Sequence, residues 1–239
     1  MWTATAVAFE LRPHGLDLWR IVEAQHVIST GRLAGSLADQ ARLEALIEDA
    51  KPPQPPEARG LDPLLATPFR YWHRSASRFR RAGERPGIFY ASEEEATALA
   101  ETAYWRLMFL SRSPGMAAPT TTQEWSAFTI ATRLTAMLDL TRLPFVTDAV
   151  QWMDPVDYAA CQSLADAART AAADAIRYSS VRDAEHRANV AVLGIGAFGA
   201  RKPRIRTTWH LRFDRDGVSA FAAFPSPDRH RFTRAGFGL

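Results

Sequence analysis

The chain has 239 residues, 47% of them hydrophobic, and a formal net charge of +3, which is typical of a globular protein large enough to bury one core. Its arginines are interleaved with acidic residues, so no nucleic-acid patch is indicated, and its single cysteine, Cys161, excludes an intrachain disulfide and favours a reducing compartment. The N-terminus makes a poor signal peptide, and the longest apolar run, 188–200, is too short and too glycine-rich to span a bilayer. We therefore expect a cytoplasmic protein that contacts neither membranes nor nucleic acid.

The first part of the chain is predicted to contain a strand, a helix and a stiff linker. The strand covers 16–22, where apolar residues occupy both faces. A helix is predicted to begin at Ser36, and its apolar stripe consists of Leu43, Leu46 and Ile47. It ends before the proline-rich segment 51–56, an extended linker. No second core-sized unit precedes this linker, so we interpret residues 30–75 as a helical and proline-rich insertion, with 36–66 packed outside the sheet core.

A short strand followed by a long helix is predicted next. Gly87 to Ala91 forms the strand, and Ser92 is predicted to cap the helix, with Glu95 completing a capping box. Apolar side chains follow at helical spacing: Ala96, Leu99, Ala100, Ala103, Leu107 and Leu110.

The second half of the chain is predicted to mix strands with one helix. The predicted strands are 124–133 and 136–140 as a pair, 175–181, 189–193, and 207–213 with 218–224 as a hairpin turning near Asp216-Gly217. Asp154-Pro155 is predicted to open a helix with the aspartate as N-cap. Its buried face is predicted to consist of Cys161, Leu164, Ala165, Ala168 and Ala172. The mixture favours an α+β or mixed α/β fold with one central sheet, in a single domain over residues 1–239.

A glycine motif at 194–199 matches the G-x-G-x-x-G pattern of dinucleotide-binding folds. Its context does not fit, because Lys202-Pro203 interrupts the helix that should follow and the next residues alternate like a hairpin. Packing glycines beside a buried strand are the favoured interpretation. The six histidines show no metal-ligand spacing, so we predict no metal site.

Four positions are candidates for chemistry on physical grounds. Arg20 lies among apolar neighbours on a strand, where a buried cation needs a partner; an ion pair with Glu101 is the structural alternative. Glu101 lies at the edge of the apolar helix stripe, although a helical glutamate is more often a solvated surface residue. Tyr90 and Ser180 lie on strands, where a core tyrosine and a small space-filling serine are the ordinary interpretations. Taken singly, none of the four identifies a site.

The combined pattern is more specific. It consists of Leu-Trp-Arg20-Ile-Val-Glu, Ser-Arg78-Phe-Arg, Gly-Ile-Phe-Tyr90-Ala-Ser, Glu101 eleven residues after the tyrosine, and Tyr-Ser-Ser180-Val-Arg with Asn189 soon after. In order and spacing, from about residue 16 to 195, it resembles the RES domain family, which is named for its arginine, glutamate and serine. The chain departs from compact members by its insertion at 30–75 and by Ser-Arg78-Phe-Arg, where they carry Gly-Gly-Arg-Trp-Asn.

The resemblance implies an α+β, mixed-sheet, ADP-ribosyltransferase-like fold and cleavage of the nicotinamide–ribose bond of NAD⁺. It implies that Arg20, Glu101 and Ser180 are catalytic and that Arg20, Arg78, Tyr90 and Ser180 bind NAD⁺. Such a reaction needs a carboxylate beside an oxocarbenium-like transition state and forked cations for the pyrophosphate. No cofactor is expected: NAD⁺ is the substrate, and inorganic phosphate is the expected co-substrate.

The resemblance also implies partners. Family members act as toxins that a helix-turn-helix (Xre-type) antitoxin holds inactive, and they often pair as homodimers. Phosphorolysis to ADP-ribose-1″-phosphate and nicotinamide is the favoured function. An ADP-ribosyltransferase acting on a protein, or an inactive nucleotide-binding module, are the alternatives. Free nicotinamide released from NAD⁺ separates the first function from the last.

Overall fold

A computed structural model describes residues 2–24, 33–71, 74–113, 115 and 119–239. Its helices are α1 (Ala4–Glu10), α2 (Leu37–Asp49), α3 (Pro63–Arg70), α4 (Glu95–Ser111), α5 (Ala149–Trp152) and α6 (Ala159–Thr170). Its strands are β1 (Arg12–His14), β2 (Asp17–Glu23), β3 (Phe89–Ser92), β4 (Gln123–Ala131), β5 (Leu134–Asp139), β6 (Ala175–Ser179), β7 (Ala188–Val192), β8 (Arg204–Phe213), β9 (Gly217–Ala222) and β10 (Arg229–Thr233). No helix within these ranges is both long and apolar enough to cross a membrane.

Across the described residues the strands form one sheet in the order β1-β5-β6-β7-β3-β2-β4-β8-β9-β10. The pair β5–β6 is parallel, and the other neighbouring pairs are antiparallel. The expected mixed sheet with helices is therefore confirmed, while its closer likeness to ADP-ribosyltransferases stays a prediction. The hairpin expected near Asp216-Gly217 is also confirmed: β8 pairs with β9, and the Asp214 carboxylate accepts the backbone N–H groups of both turn residues.

The centre of the sheet is nearly split between β2 and β3. These strands share one registered pair, Trp19 with Ser92, although β2 continues to Glu23 and pairs with β4 along its whole length. β3, in turn, pairs with β7 along its whole length. Beyond Trp19 the two strands therefore diverge, and a cleft opens between the two halves of the sheet.

Three apolar clusters surround this split. One lies under α1 and α6 and includes Cys161, Leu164, Ala165 and Ala168, as expected, so Cys161 is confirmed as a core residue. The second lies under α3, around Leu65, Phe89 and Val190. The third joins α4 to β2, β4, β8 and β9. Because α4 packs on the sheet beside the split, it brings its side chains to the edge of the cleft.

The helix expected at Asp154 begins five residues later, at Ala159. The Asp154 carboxylate accepts the backbone N–H groups of Val156 and Asp157 and so stabilises a turn instead of capping a helix. Ala172, expected on the buried face of α6, is exposed and follows the helix with φ of 58°. Both errors concern helix ends, where local side-chain bonds compete with the helix.

The expected pairing of the strands near 124–133 and 136–140 is wrong. β4 lies between β2 and β8, whereas β5 lies between β1 and β6 in the other half of the sheet. Both strands were located correctly to within a few residues, but a short connection did not make them neighbours.

The expectation that residues 36–66 pack outside the core is correct for one half of the segment only. None of the residues of α2 is buried, and Ser36, where the helix was expected to begin, is its N-cap, with the hydroxyl accepting the Asp39 N–H. Ala58 and Leu65, in contrast, are fully buried, and Leu65 belongs to the second apolar cluster. Residues 30–32 and 72–73 of the proposed insertion lie outside the described residues.

The glycine motif at 194–199 forms no dinucleotide-binding turn. A short 3₁₀ helix, Ile195–Ala197, follows Gly194, and the Gly199 N–H donates to the Ala131 carbonyl at the end of β4. A Cβ at Gly199 would lie 3.3 Å from that carbonyl oxygen. Close backbone packing therefore explains this glycine.

Candidate active site

The divergence of β2 and β3 leaves a cleft with a volume of about 730 Å³. Its walls come from β2, β3, α4, the segment 74–80 and the loop after β6. Among the described residues that line it, six are arginines and one is acidic. The arginines are Arg20, Arg74, Arg78, Arg80, Arg106 and Arg182, and the acid is Glu101. The cleft therefore carries a strong positive potential around a single carboxylate, which favours an anionic ligand.

Glu101 is held in the cleft by two hydrogen bonds to the same oxygen. Its Oε1 accepts from Ser180 Oγ at 2.7 Å and from Asn189 Nδ2 at 2.7 Å. Both donors come from the half of the sheet that contains β6 and β7, and no donor among the described residues reaches Oε2. A carboxylate fixed in this way keeps one oxygen oriented and the other available for a ligand.

Ser180 lies behind Glu101 and does not line the cleft. It is fully buried, and its Oγ accepts the backbone N–H groups of Arg182 and Asp183, each at 3.1 Å, while it donates to Glu101. Its hydroxyl is thus fully used by the protein. The geometry favours a positioning role for Ser180 over the direct NAD⁺ contact that the sequence pattern implied.

Asn189 links Glu101 to a second strand. Its side chain donates to the Glu101 carboxylate and accepts from Ser92 Oγ at 2.7 Å. Ser92 was expected to cap α4, and this expectation is wrong: Glu94 precedes the helix without a side-chain cap bond, and Glu95 accepts from Trp209 Nε1. Ser92 instead ends β3 and is buried. Its hydroxyl donates to Asn189, which in turn donates to Glu101.

Arg20 lies on β2 at the mouth of the split, with its guanidinium carbon 4.5 Å from the centre of the Phe89 ring. Its Nη1 atom is buried and has no hydrogen-bond partner among the described residues. Burial lowers the pKa of the Arg20 guanidinium to about 10. The alternative ion pair with Glu101 does not form, and Arg20 lines the cleft without an ion pair to any carboxylate of the described residues.

Tyr90 fixes the segment that carries Arg78. Its hydroxyl lies 2.9 Å from Ser77 Oγ and accepts the Phe79 N–H at 3.1 Å, and desolvation raises the pKa of this phenol. Arg78 is buried; its Nη1 donates to the Trp152 carbonyl at 2.6 Å, and its guanidinium lies 4.8 Å from the centre of the Tyr158 ring. Both Tyr90 and Arg78 line the cleft with Arg20 and Glu101.

Asp183 holds the loop that carries Ser180. It is 4% exposed and accepts from Thr97 Oγ1 at 2.7 Å and from Arg187 Nε at 2.6 Å. Burial opposes ionisation of this carboxyl, but the bonds from Arg187 and Thr97 outweigh it and lower its pKa to about 2. Because Thr97 lies one turn before Glu101 on α4, Asp183 ties the serine loop to the helix that carries the carboxylate.

Several residues of the site were not predicted from the sequence to belong to it. They are Ser92, Asp183, Arg182 and Arg106, and the aromatic residues Trp19, Trp105, Phe109, Trp125, Tyr158 and Tyr178. A buried polar side chain on a strand, such as Asn189, was a usable signal. The aromatic residues carried none, since an aromatic in an apolar pattern usually belongs to the core. Within the described ranges, no cluster of histidine, cysteine and acidic side chains could hold a metal ion.

Comparison with known proteins adds two findings. A family model described as the RES domain matches residues 54–214. The match includes Arg78, Tyr90, Glu101 and Ser180, and it begins after Arg20, within the segment taken as an insertion. Leu65, in the part of that segment that the match covers, is fully buried.

Among solved structures, one chain of the M. tuberculosis MbcT–MbcA toxin–antitoxin complex is similar to this protein. The identity is 12%, the TM-score is 0.50, and the alignment covers 87% of this chain and 91% of the other. At this low sequence identity, the similarity between the two chains shows a shared fold and nothing about function. No curated protein sequence matches the chain.

Proposed function

The chain belongs to the RES domain family, and from this premise we propose that it is a cytoplasmic enzyme that binds NAD⁺ and cleaves its nicotinamide–ribose bond, with inorganic phosphate as the acceptor. The observation that carries the proposal is the position of Glu101: one carboxylate, fixed through a single oxygen, in a cleft whose other charged lining residues are arginines. The family match supports the class of reaction, and the geometry supports the roles of the residues.

Glu101 supplies the charge that the reaction needs. Departure of nicotinamide leaves positive charge on the ribose, and a preorganised carboxylate stabilises this charge in the transition state. Ser180 and Asn189 hold Oε1 at 2.7 Å each, so the carboxylate needs no reorganisation when the charge develops. In this proposal Oε2 faces the ribose, and Ser180 acts through Glu101.

Arg20 and Arg78 bind the pyrophosphate. Within the described part of the chain, Arg20 has no carboxylate partner and its buried Nη1 has no acceptor, so a phosphate oxygen would supply the missing partner. Arg78 keeps its guanidinium in place through one carbonyl and a tyrosine ring, which leaves its other nitrogens for the ligand. Two forked cations suit a pyrophosphate better than two lysines would.

Aromatic side chains provide surfaces for the two flat rings of NAD⁺. Tyr90 and Tyr178 line the cleft close to Glu101, and Trp105 and Phe109 continue along α4 toward the solvent. Stacking on such rings orients a heterocycle without requiring charge. The volume of about 730 Å³ lies within the range of sites for ligands of this class.

In the proposed reaction, a phosphate oxygen forms a bond to C1″ of the ribose as the bond from C1″ to the nicotinamide nitrogen breaks. The electron pair of the broken bond returns to the pyridinium ring, which becomes neutral nicotinamide. The phosphate keeps its own proton, and the other product is ADP-ribose-1″-phosphate. No oxidant, metal or cofactor is required.

An antitoxin is the proposed regulatory partner. The similar solved chain belongs to a toxin–antitoxin complex, and in this chain the rim of the cleft exposes Trp105 and Phe109, each to nearly half of its surface. Exposed aromatic side chains beside a functional cleft are typical of a protein interface. We propose that a helix-turn-helix (Xre-type) protein covers this rim and blocks entry of NAD⁺.

Product analysis tests the proposed function. The purified chain is incubated with NAD⁺, with and without inorganic phosphate, and the products are separated by chromatography. We expect free nicotinamide in both cases, faster release with phosphate, and ADP-ribose-1″-phosphate as the second product. Label from NAD⁺ on a protein band would favour the ADP-ribosyltransferase alternative, and the absence of nicotinamide would favour an inactive nucleotide-binding module.

A further inference from the structure

Like Arg20, Arg182 lines the cleft that contains Glu101 and forms no ion pair with a carboxylate of the described residues. The proposed pyrophosphate site does not use it. Arg182 is half-buried. Its guanidinium carbon lies 3.6 Å from the centre of the Tyr104 ring, and its Nη2 donates to the Pro155 carbonyl at 2.6 Å.

Two contacts connect Arg182 to the surroundings of Glu101. The Arg182 backbone N–H donates to Ser180 Oγ, which in turn donates to Glu101 Oε1. Tyr104, on which the guanidinium stacks, lies three residues after Glu101 on α4 and therefore on the same side of the helix. Tyr104 is itself 4% exposed and packed against Trp105 and Phe237, so it is a rigid support.

The backbone carbonyl and the tyrosine ring occupy part of the guanidinium and leave Nε and Nη1 for a ligand. A guanidinium held in this way is preorganised for a small tetrahedral anion, because its fork matches two phosphate oxygens. Tyr158 supports the same arrangement, since its hydroxyl donates to the carbonyl of Pro155 that Arg182 also uses.

Electrostatics require a cation at this position if phosphate is the acceptor. Attack on C1″ brings a phosphate dianion close to the Glu101 carboxylate, and two such anions repel each other strongly in a partly desolvated cleft. A guanidinium beside both offsets the repulsion and orients the attacking oxygen. Arg20 and Arg78 are committed to the pyrophosphate in the proposed function, whereas Arg182 is free for this task.

We propose that Arg182 forms the binding subsite for the acceptor, inorganic phosphate, next to Glu101. This inference rests on the proposed function and deepens it by separating the two phosphate-binding places of the cleft: Arg20 and Arg78 hold the pyrophosphate of NAD⁺, and Arg182 holds free phosphate. Arg182 therefore determines whether phosphate or water attacks the ribose.

Steady-state kinetics of Arg182→Gln test the subsite, with NAD⁺ and inorganic phosphate varied independently. Losing a charged hydrogen-bonding partner should raise KM for phosphate about 10- to 100-fold. KM for NAD⁺ should stay within about threefold of wild type, since the pyrophosphate contacts remain. The product should shift from ADP-ribose-1″-phosphate toward ADP-ribose, because water replaces the unbound acceptor.

Two further variants keep the test decisive. Arg182→Lys retains the charge without the fork, so it should fold if Arg182→Gln does not, and it should raise KM for phosphate by a smaller factor. Arg142→Gln is the matched control, because the Arg142 side chain is 77% exposed outside the cleft lining. Its kinetic constants should equal those of wild type.

The outcomes separate this subsite from the proposed function. An unchanged KM for phosphate in both Arg182 variants overturns the subsite, and so does an equal rise in KM for NAD⁺, which would assign Arg182 to the pyrophosphate. Nicotinamide release that is independent of phosphate in the wild type also overturns it, although NAD⁺ cleavage then stands. Phosphate-independent release would also remove phosphate as the acceptor from the proposed function, and the absence of any nicotinamide would overturn NAD⁺ cleavage itself.

Discussion

Replacing Glu101 by glutamine tests the central charge of the proposed site. Glutamine has the same shape, and its carbonyl oxygen can still accept from Ser180 Oγ and Asn189 Nδ2, which lie 2.7 Å from Oε1 in the native chain. The substitution therefore keeps the geometry and removes the charge. It places an amide nitrogen where Oε2 would face the developing positive charge on the ribose.

The expected losses in activity and stability differ in size. Loss of one preorganised electrostatic group should reduce kcat by roughly 10²–10³. The two hydrogen bonds to Oε1 change from charge-assisted to neutral, which lowers the free energy of unfolding by about 1–2 kcal/mol in total. For a chain of this size that corresponds to a fall in Tm of roughly 2–8 °C. The variant should remain folded and nearly inactive.

Nicotinamide release and thermal melting of the purified variant are the measurements. Glu95→Gln is the matched control: Glu95 lies on the same helix, accepts a hydrogen bond from Trp209 Nε1 at 2.6 Å, and does not line the cleft. It should lose some stability and no activity. Release near the wild-type rate in Glu101→Gln would refute the catalytic assignment, and loss of both folding and release would show that Glu101 is a structural residue.

Arg20→Lys keeps a charge but loses the fork, so nicotinamide release at low NAD⁺ should fall by about 10-fold or more; an unchanged rate would remove Arg20 from the site. Asn189→Ala removes one donor from the carboxylate and leaves a buried hydroxyl unpaired, so kcat should fall about 10-fold and stability by about 1–3 kcal/mol; a lower Tm with native kcat would contradict positioning. The pKa of Asp183 in the folded chain, about 2, lies below its unfolded value of about 3.9. Its stabilisation is therefore present above pH 4 and is lost as the pH falls toward 2, so urea unfolding of Asp183→Asn should show a deficit of about 2 kcal/mol at pH 7 that shrinks in acid. Leu46 is 60% exposed and Leu65 is fully buried, so the change to alanine should cost less than about 0.5 kcal/mol at Leu46 and about 2–5 kcal/mol at Leu65; equal costs would contradict the division of the segment.

Local patterns in the amino-acid sequence determined several of the strands and helices of this protein. Apolar periodicity and turn residues predicted the strand around Arg20, the helix that carries Glu101, the burial of Cys161 and the β8–β9 hairpin, and the structure has each of them. The motif spacing also indicated the RES domain family, which the family model confirms over 54–214. The strands, the helix and the hairpin each depend on residues close together in the chain, and sequence spacing identifies such elements directly.

Tertiary structure alone decided which strands became neighbours. Apolar alternation identifies the buried face of a strand but does not identify the strands beside it. For this reason β4 and β5 were located correctly in the sequence but were wrongly predicted to pair with each other. The same limit applies to the proline-rich segment, where only packing against the sheet shows that α2 lies outside the core and α3 within it.

The hydrogen bonds around Glu101 could also be identified only in the folded chain. Its hydrogen bonds join residues that are 79 and 88 positions apart, and the bond from Ser92 to Asn189 spans 97 positions. A serine such as Ser92 satisfies the local rule for a helix cap, and only the strand beside it offers the buried amide that its hydroxyl uses instead. Buried polar groups take whichever partner the fold brings within reach, because leaving them unpaired costs about 1–3 kcal/mol. The residue types of the site were therefore visible in the sequence, while the orientation of its carboxylate was fixed only when the two halves of the sheet met.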